Sequence, residues 1–162
     1  MTQDDQFHHL HGLIAVATDS ELGYRTAAEH VGDSRLATIF SEYARQRAGF
    51  VKDLTAEAER LSGEAPGKSG TVSGAVFRGW MNVKSALTGG SPSAIVAACE
   101  TGEDAAEAAY ERVVNTDVTG QTRSLIDSQW AKIKEAHHRM LNLKAQFEGD
   151  PKKPIDAVNP TA

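Results

Sequence analysis

Apolar residues recur every three or four positions in four long segments of the chain, the spacing that places them on one face of an α-helix. The segments cover residues 7–31, 36–61, 91–113 and 126–147. In none of them do apolar and polar residues alternate with the period of two that a half-buried strand requires. The pattern therefore predicts an all-α protein built from four long amphipathic helices.

The connections between these segments predict the topology. A short breaker, residues 31–34, makes the first two helices antiparallel neighbours, and a turn over residues 115–121 joins the last two. A loop over residues 62–70 precedes a shorter apolar stripe over residues 72–87. A connection this long that carries an extra helix is typical of ferritin-like four-helix bundles with one long crossover; a plain five-helix bundle is the alternative.

The end of the sequence has a different composition from the rest. From Gly149 onward it contains three prolines and several small residues without helical periodicity. Such a segment has too few apolar residues to build an ordered core. We therefore expect a bundle domain over residues 1–148 and a flexible tail over residues 149–162.

Charge and composition exclude several classes of partner. The net charge is −5, and no basic run is longer than Lys152-Lys153, so the electrostatic footprint of a nucleic-acid binder is missing. No apolar run is long enough to cross a bilayer, and no secretory signal is recognisable in the first residues. The single cysteine, Cys99, rules out an internal disulfide framework. We expect a cytoplasmic protein that binds neither nucleic acid nor membrane.

Polar side chains interrupt the apolar face of each long helix near its middle. They are Glu21 in the first helix, Gln46 with Arg47 in the second, Glu103 in the third and His137 in the fourth. A polar group that faces a core must be paired, hydrogen-bonded or bound to a metal. Because carboxylates and imidazoles suit iron, manganese or zinc, Glu21, Glu103 and His137 are candidate metal ligands.

The candidate metal site is incomplete. Bundles with two metal ions take a Glu-x-x-His pair from each of two helices, but Lys134 stands three residues before His137. Weaker candidate ligands are Gln46, Glu100, and the Glu-x-x-His pair Glu135 and His138, which lies at the edge of the apolar stripe. A metal-free interior, in which Arg47 pairs with Glu21 and Glu103, is the alternative interpretation, and a site without any cofactor is equally defensible.

Five stretches resemble an uncharacterised bacterial family of ferritin-like four-helix bundles, classed as a domain of unknown function. They are residues 23–28, 47–50, 74–84, 99–104 and 133–137, and the Arg-Gly-Trp-Met-Asn sequence in the third is the most specific. The resemblance implies a ferritin-like fold but no established reaction. The wider superfamily includes di-iron proteins with oxidase, peroxidase or iron-storage roles.

Two functions follow from these observations. The first is a stress-associated binding or structural module with an incomplete or single-metal interior site. The second is a di-metal enzyme of oxidase or peroxidase type, or an iron-handling protein. A homodimer or an unidentified protein partner is expected for either.

Overall fold

The computed structural model describes residues 1–63, Trp80, Val83, Ala86 and residues 91–147. The described residues form four helices: α1 (Gln3–His30), α2 (Ser34–Ser62), α3 (Pro92–Val114) and α4 (Gly120–Gln146). They contain no strand, so the predicted all-α bundle of four long helices is confirmed. The predicted short helix lies outside the described residues except for Trp80, Val83 and Ala86, which are helical, and the predicted tail lies outside them entirely.

Local hydrogen bonds fix where the helices begin. Thr2 and Asp5 form a capping box, in which the Asp5 amide donates to Thr2 Oγ1 at 3.1 Å and the Thr2 amide donates to Asp5 Oδ2 at 3.0 Å. This box starts α1 four residues before the predicted boundary, since polar capping residues carry no apolar periodicity. Asp33 caps α2 by accepting from the amides of Arg35 and Leu36, both at 2.9 Å.

The other helix ends also follow from particular residues. Gly63 ends α2 with a left-handed φ of 75°, and the hydroxyl of Ser91 accepts from the Ala94 amide at 3.1 Å at the start of α3. α4 begins at Gly120, within the segment predicted to be a turn. There Thr122 donates its hydroxyl to Glu57 of α2 at 2.7 Å. This tertiary contact therefore stabilises the helical conformation of the polar first turn of α4.

The helices pack as two antiparallel hairpins, α1 with α2 and α3 with α4, while α1 also contacts α3 and α2 contacts α4. The start of α1 lies beside the start of α4, where Gln6 accepts from the Thr119 amide at 3.5 Å. Since Glu57 bonds Thr122, the end of α2 is at the same end of the bundle. α2 and α3 are therefore parallel, and Ser62 and Pro92 lie at opposite ends.

The core runs the length of the four helices. Its fully buried side chains include Leu10, Phe40, Leu54, Ile95, Ile126, Ile133 and Met140. Burying a side chain of this size contributes roughly 1.5–3 kcal/mol relative to leaving it exposed. Among the described residues, no helix is both long enough and apolar enough to cross a membrane.

Candidate functional site

A buried ion pair between Arg47 of α2 and Glu103 of α3 lies in the centre of the bundle. Arg47 Nη2 is 2.6 Å from Glu103 Oε1, and Arg47 Nη1 is 3.1 Å from Glu103 Oε2, so the guanidinium binds the carboxylate in the two-pronged mode. Both side chains have 0% exposure to solvent. Because each charge is fully removed from water, each depends on the other.

Neighbouring side chains complete the network around this pair. The Tyr24 hydroxyl of α1 donates to Glu103 Oε1, and Arg47 Nε donates to Gln46 Oε1 at 3.3 Å. The guanidinium also lies over the rings of Tyr24 and Phe50, with Cζ 5.6 and 5.5 Å from the ring centroids. Three helices thus contribute to one polar cluster, which we call the central network: Tyr24, Gln46, Arg47 and Glu103.

Burial and charge keep Tyr24 and Arg47 in their protonated forms. Burial raises the pKa of Tyr24 well above its usual value, and the negative charge of Glu103 raises it further. Burial has the largest single effect on the pKa of Arg47 and lowers it, but the charge and hydrogen bonds of Glu103, together with the nearby Tyr24 and Tyr110, raise the pKa above its usual value. Both groups are therefore hydrogen-bond donors, and Glu103 is the acceptor that they share.

Trp80 packs against the central network through a slot between two glycines. A Cβ atom at Gly23 of α1 would lie 2.1 Å from Trp80 Cε3, and one at Gly102 of α3 would lie 2.5 Å from Trp80 Cδ2. The indole ring meets the Tyr24 ring edge-on, with 4.9 Å between their centroids. Only glycine at these two positions leaves room for the indole. The indole packs over the central network on the side of Tyr24.

Two further buried groups lie around the network. Burial raises the pKa of the Cys99 thiol well above its usual value, and Glu103 adds to the shift. The Tyr110 hydroxyl donates to Gln129 Oε1 at 2.7 Å, and Gln129 Nε2 donates to the Phe50 carbonyl at 3.5 Å. Burial also raises the pKa of Tyr110. These groups are protonated near neutral pH, and the thiol is poorly suited to nucleophilic chemistry.

His137 belongs to a separate cluster at the α3–α4 contact. Its Nδ1 is 2.6 Å from Glu107 Oε2 and its Nε2 is 3.0 Å from Glu100 Oε1. Burial alone would lower the pKa of His137, but hydrogen bonds to Glu100 and Glu107 raise it above its usual value. The ring is therefore held between two carboxylates, an arrangement that favours the imidazolium form.

The other predicted ligands do not join the central network. Glu21 pairs with Arg25 four residues later on α1, so the predicted pairing of Arg47 with Glu21 is wrong, while its pairing with Glu103 is present. An i, i+4 partner on the same helix is close to Glu21 without any tertiary packing. Glu135 and His138 are exposed, which leaves His137 as the more buried histidine of α4.

Apart from the exposed Glu135 and His138, the candidate metal ligands lie in three places. Glu103 and Gln46 are in the central network, His137 and Glu100 are in the α3–α4 cluster, and Glu21 is near the surface of α1. Within the described part of the chain, no group of three or more His, Cys, Asp or Glu side chains is placed to hold a metal ion. Metal binding stays a prediction.

Sequence reasoning missed Tyr24 as a member of the site and Glu57 as a buried anion. Glu57 is 4% exposed and accepts from Arg60 Nε at 3.0 Å as well as from Thr122. The hydrogen bond from Arg60 lowers the pKa of Glu57. A signal for Tyr24 was available, because Gly23 and Gly102 are helix-interior glycines that each stand directly before a member of the network.

Comparison with known proteins gives one match. The model of a family described as Domain of unknown function (DUF2383) matches residues 5–116, more than half of the chain, and the chain belongs to this family. No curated protein and no solved structure matches this chain. The matched residues include the whole central network and end before α4 and His137.

Proposed function

Because the chain belongs to a family without an assigned function, we propose its role from the geometry: it is a ferritin-like bundle that acts as a binding or structural module. In this proposal the Arg47–Glu103 ion pair takes the interior position that a metal centre occupies in di-metal bundles. Any metal is bound at most at a single, incomplete site. The proposed role is therefore recognition or assembly.

The two-pronged contact between Arg47 and Glu103 is the observation that carries this proposal. Di-metal bundles direct a Glu from each of two helices, and a Glu-x-x-His pair from each of the other two, at ions between the helices. Here the most deeply buried carboxylate, Glu103, is neutralised by a guanidinium and hydrogen-bonded by Tyr24. For Glu103 to bind a metal, Arg47 would have to leave, and its buried charge would then lack a partner.

The ferritin-like part of the proposal is supported by the chain path. α2 and α3 are parallel, and Ser62 and Pro92 lie at opposite ends of the bundle. Ferritin-like folds have one crossover between two hairpins, which produces this arrangement, whereas an up-down-up-down bundle makes every consecutive pair antiparallel. The expected stress-associated role, cytoplasmic location and homodimer or protein partner stay predictions.

Metal analysis of protein purified without chelators tests the proposal. We expect metal far below one equivalent per chain, and an unchanged thermal midpoint when iron, manganese or zinc is added, since a ligand that binds only the native state raises that midpoint. The double variant Glu103→Gln/His137→Ala serves as the control for specific ligation. About two equivalents of iron or manganese per chain, lost in that variant, would support the di-metal oxidase, peroxidase or iron-handling alternative instead.

A further inference from the structure

An open groove runs along the surface between α1 and α3, and none of its lining residues belongs to the central network. Its volume is about 180 Å³, and residues of both helices line it: His8, His9, Gly12, Leu13, Val16, Ala109, Arg112 and Val113. Residues 8 to 16 of α1 extend over about 12 Å, because an α-helix rises 1.5 Å per residue. A small volume spread over that length leaves a narrow channel, which fits a chain-like molecule.

The groove has an apolar floor and a polar end. The floor consists of side chains that are 2% to 8% exposed, namely Leu13, Val16, Ala109 and Val113. The start of α1 lies beside the Thr119 amide, which follows the end of α3, so Arg112 lies on the same side of the groove as His8 and His9. The polar groups therefore gather at one end, and the apolar floor continues from them towards the middle of α1.

The polar end offers hydrogen-bond donors and a positive charge. Among the described residues, no carboxylate lines the groove, and the exposed Arg112 forms no salt bridge. Its guanidinium is a planar fork of donors that matches the two oxygens of a carboxylate. The rings of His8 and His9 add N–H donors. This end of the groove therefore suits a small organic anion, and the floor suits a hydrocarbon chain.

Gly12 keeps the groove open. It is an exposed residue in the interior of α1, and no described atom lies within 4 Å of where its Cβ would stand. Glycine inside a helix is less stable than alanine, so its presence there has a cost. Gly23 and Gly102 are needed to make room for Trp80, but packing does not require Gly12. The missing side chain leaves the groove accessible, which is an observation independent of the charges.

We propose that the groove between α1 and α3 is a binding site for a small monocarboxylate with a linear apolar chain. The guanidinium of Arg112 and the imidazoles of His8 and His9 donate hydrogen bonds to the carboxylate, and the chain lies along the floor past Gly12. This inference goes beyond the proposed function, because the groove shares no residue with the central network. Either can fail without the other.

Titration of hexanoate into isotope-labelled protein, followed by the NMR shifts of the amides, tests this proposal. We expect a dissociation constant on the order of 1 mM, since a ligand this small gains little free energy in an open groove. The largest shifts should be at Gly12, Leu13, Ala109 and Arg112. Acetate keeps the charge without the chain, and hexanamide keeps the chain without the charge. Each should bind at least about fivefold more weakly than hexanoate.

Variants at the two ends of the groove, each with a matched control, locate the binding. Arg112→Gln should weaken hexanoate binding about tenfold or more, whereas Arg45→Gln, at an exposed arginine outside the groove, should change it less than about twofold. Gly12→Leu fills the groove and should abolish binding. Gly49→Leu, at another helical glycine with open space around its Cβ, should bind hexanoate as the natural chain does.

Several outcomes would overturn the proposal. They are equal weakening by Arg112→Gln and Arg45→Gln, full binding by a folded Gly12→Leu, and acetate or inorganic phosphate that binds as tightly as hexanoate. The absence of saturable shifts at about 20 mM hexanoate, far above the expected dissociation constant, would also overturn it. If Gly12→Leu does not fold, the two arginine variants and the comparison of hexanoate with hexanamide decide.

Discussion

The central ion pair makes a quantitative prediction about stability. Replacing Arg47 by Met leaves the carboxylate of Glu103 buried without its cation, and replacing Glu103 by Gln leaves the guanidinium without its anion. Removing one partner of a buried pair typically costs about 3–5 kcal/mol. In a domain of this size, 1 kcal/mol shifts the thermal midpoint by about 2–4 °C, so each variant should melt roughly 6–20 °C below the natural protein.

A double-mutant cycle separates this pairing from general disruption. Each single variant loses the same interaction, so Arg47→Met/Glu103→Gln should cost less than the sum of the two by about 2–3 kcal/mol. Urea unfolding followed by circular dichroism, with linear extrapolation to water, measures all four free energies. Lys52→Met, which neutralises an exposed cation on the same helix, is the control and should stay within about 0.5 kcal/mol of the natural chain. Single variants that each lose under 1 kcal/mol, or strictly additive losses, would refute the reasoning.

Three further predictions concern the slot, the thiol and the histidine. Gly23→Ala should lower the free energy of unfolding by about 1–3 kcal/mol, because the added Cβ would lie 2.1 Å from Trp80. The control Gly12→Ala, with open space around its Cβ, should raise that free energy by about 0.5–1 kcal/mol, and urea unfolding measures both. Cys99 should resist alkylation by iodoacetamide at pH 8 until the protein unfolds, and rapid labelling of native protein, followed by mass spectrometry, would contradict its burial. The pKa of His137 is raised in the folded state, so its stabilising contribution should be complete below the unfolded pKa and decline as pH rises through the folded pKa. His137→Gln should abolish this decline in the free energy of unfolding, and plots of that free energy against pH from 5 to 9 that run parallel for the two proteins would contradict the prediction.

Much of the fold was predictable because helix periodicity depends on local spacing. All four long helices were located by their apolar stripes, but α1 and α4 begin earlier than predicted. In α1 the difference comes from the capping box of Thr2 and Asp5, which is polar. In α4 it comes from Thr122, which contacts Glu57, a residue 65 positions earlier in the sequence. Apolar periodicity reports neither of these features.

The site was predictable only in part, because periodicity gives a side chain's direction and leaves its partner open. The apolar face of α2 predicted that Arg47 points inward, and the need to compensate a buried charge predicted a carboxylate partner. From the sequence, either Glu21 or Glu103 could have been that carboxylate, because both lie on the apolar face of a predicted helix. Packing selected Glu103, since Glu21 has Arg25 within reach on its own helix. The role of Tyr24 required knowledge of how α1 packs against α3.

The parallel arrangement of α2 and α3 has a consequence for the order of folding. Contacts inside a hairpin join residues close in sequence, as Tyr110 and Gln129 are with a separation of 19. Contacts between the hairpins join distant residues, 56 apart for Arg47 and Glu103 and 79 apart for Tyr24 and Glu103. Because closing a longer loop costs more entropy, the two hairpins should form first and dock afterwards. The charged pair then forms in the docking step, and a chain whose hairpins dock out of register is left with two buried, unpaired charges.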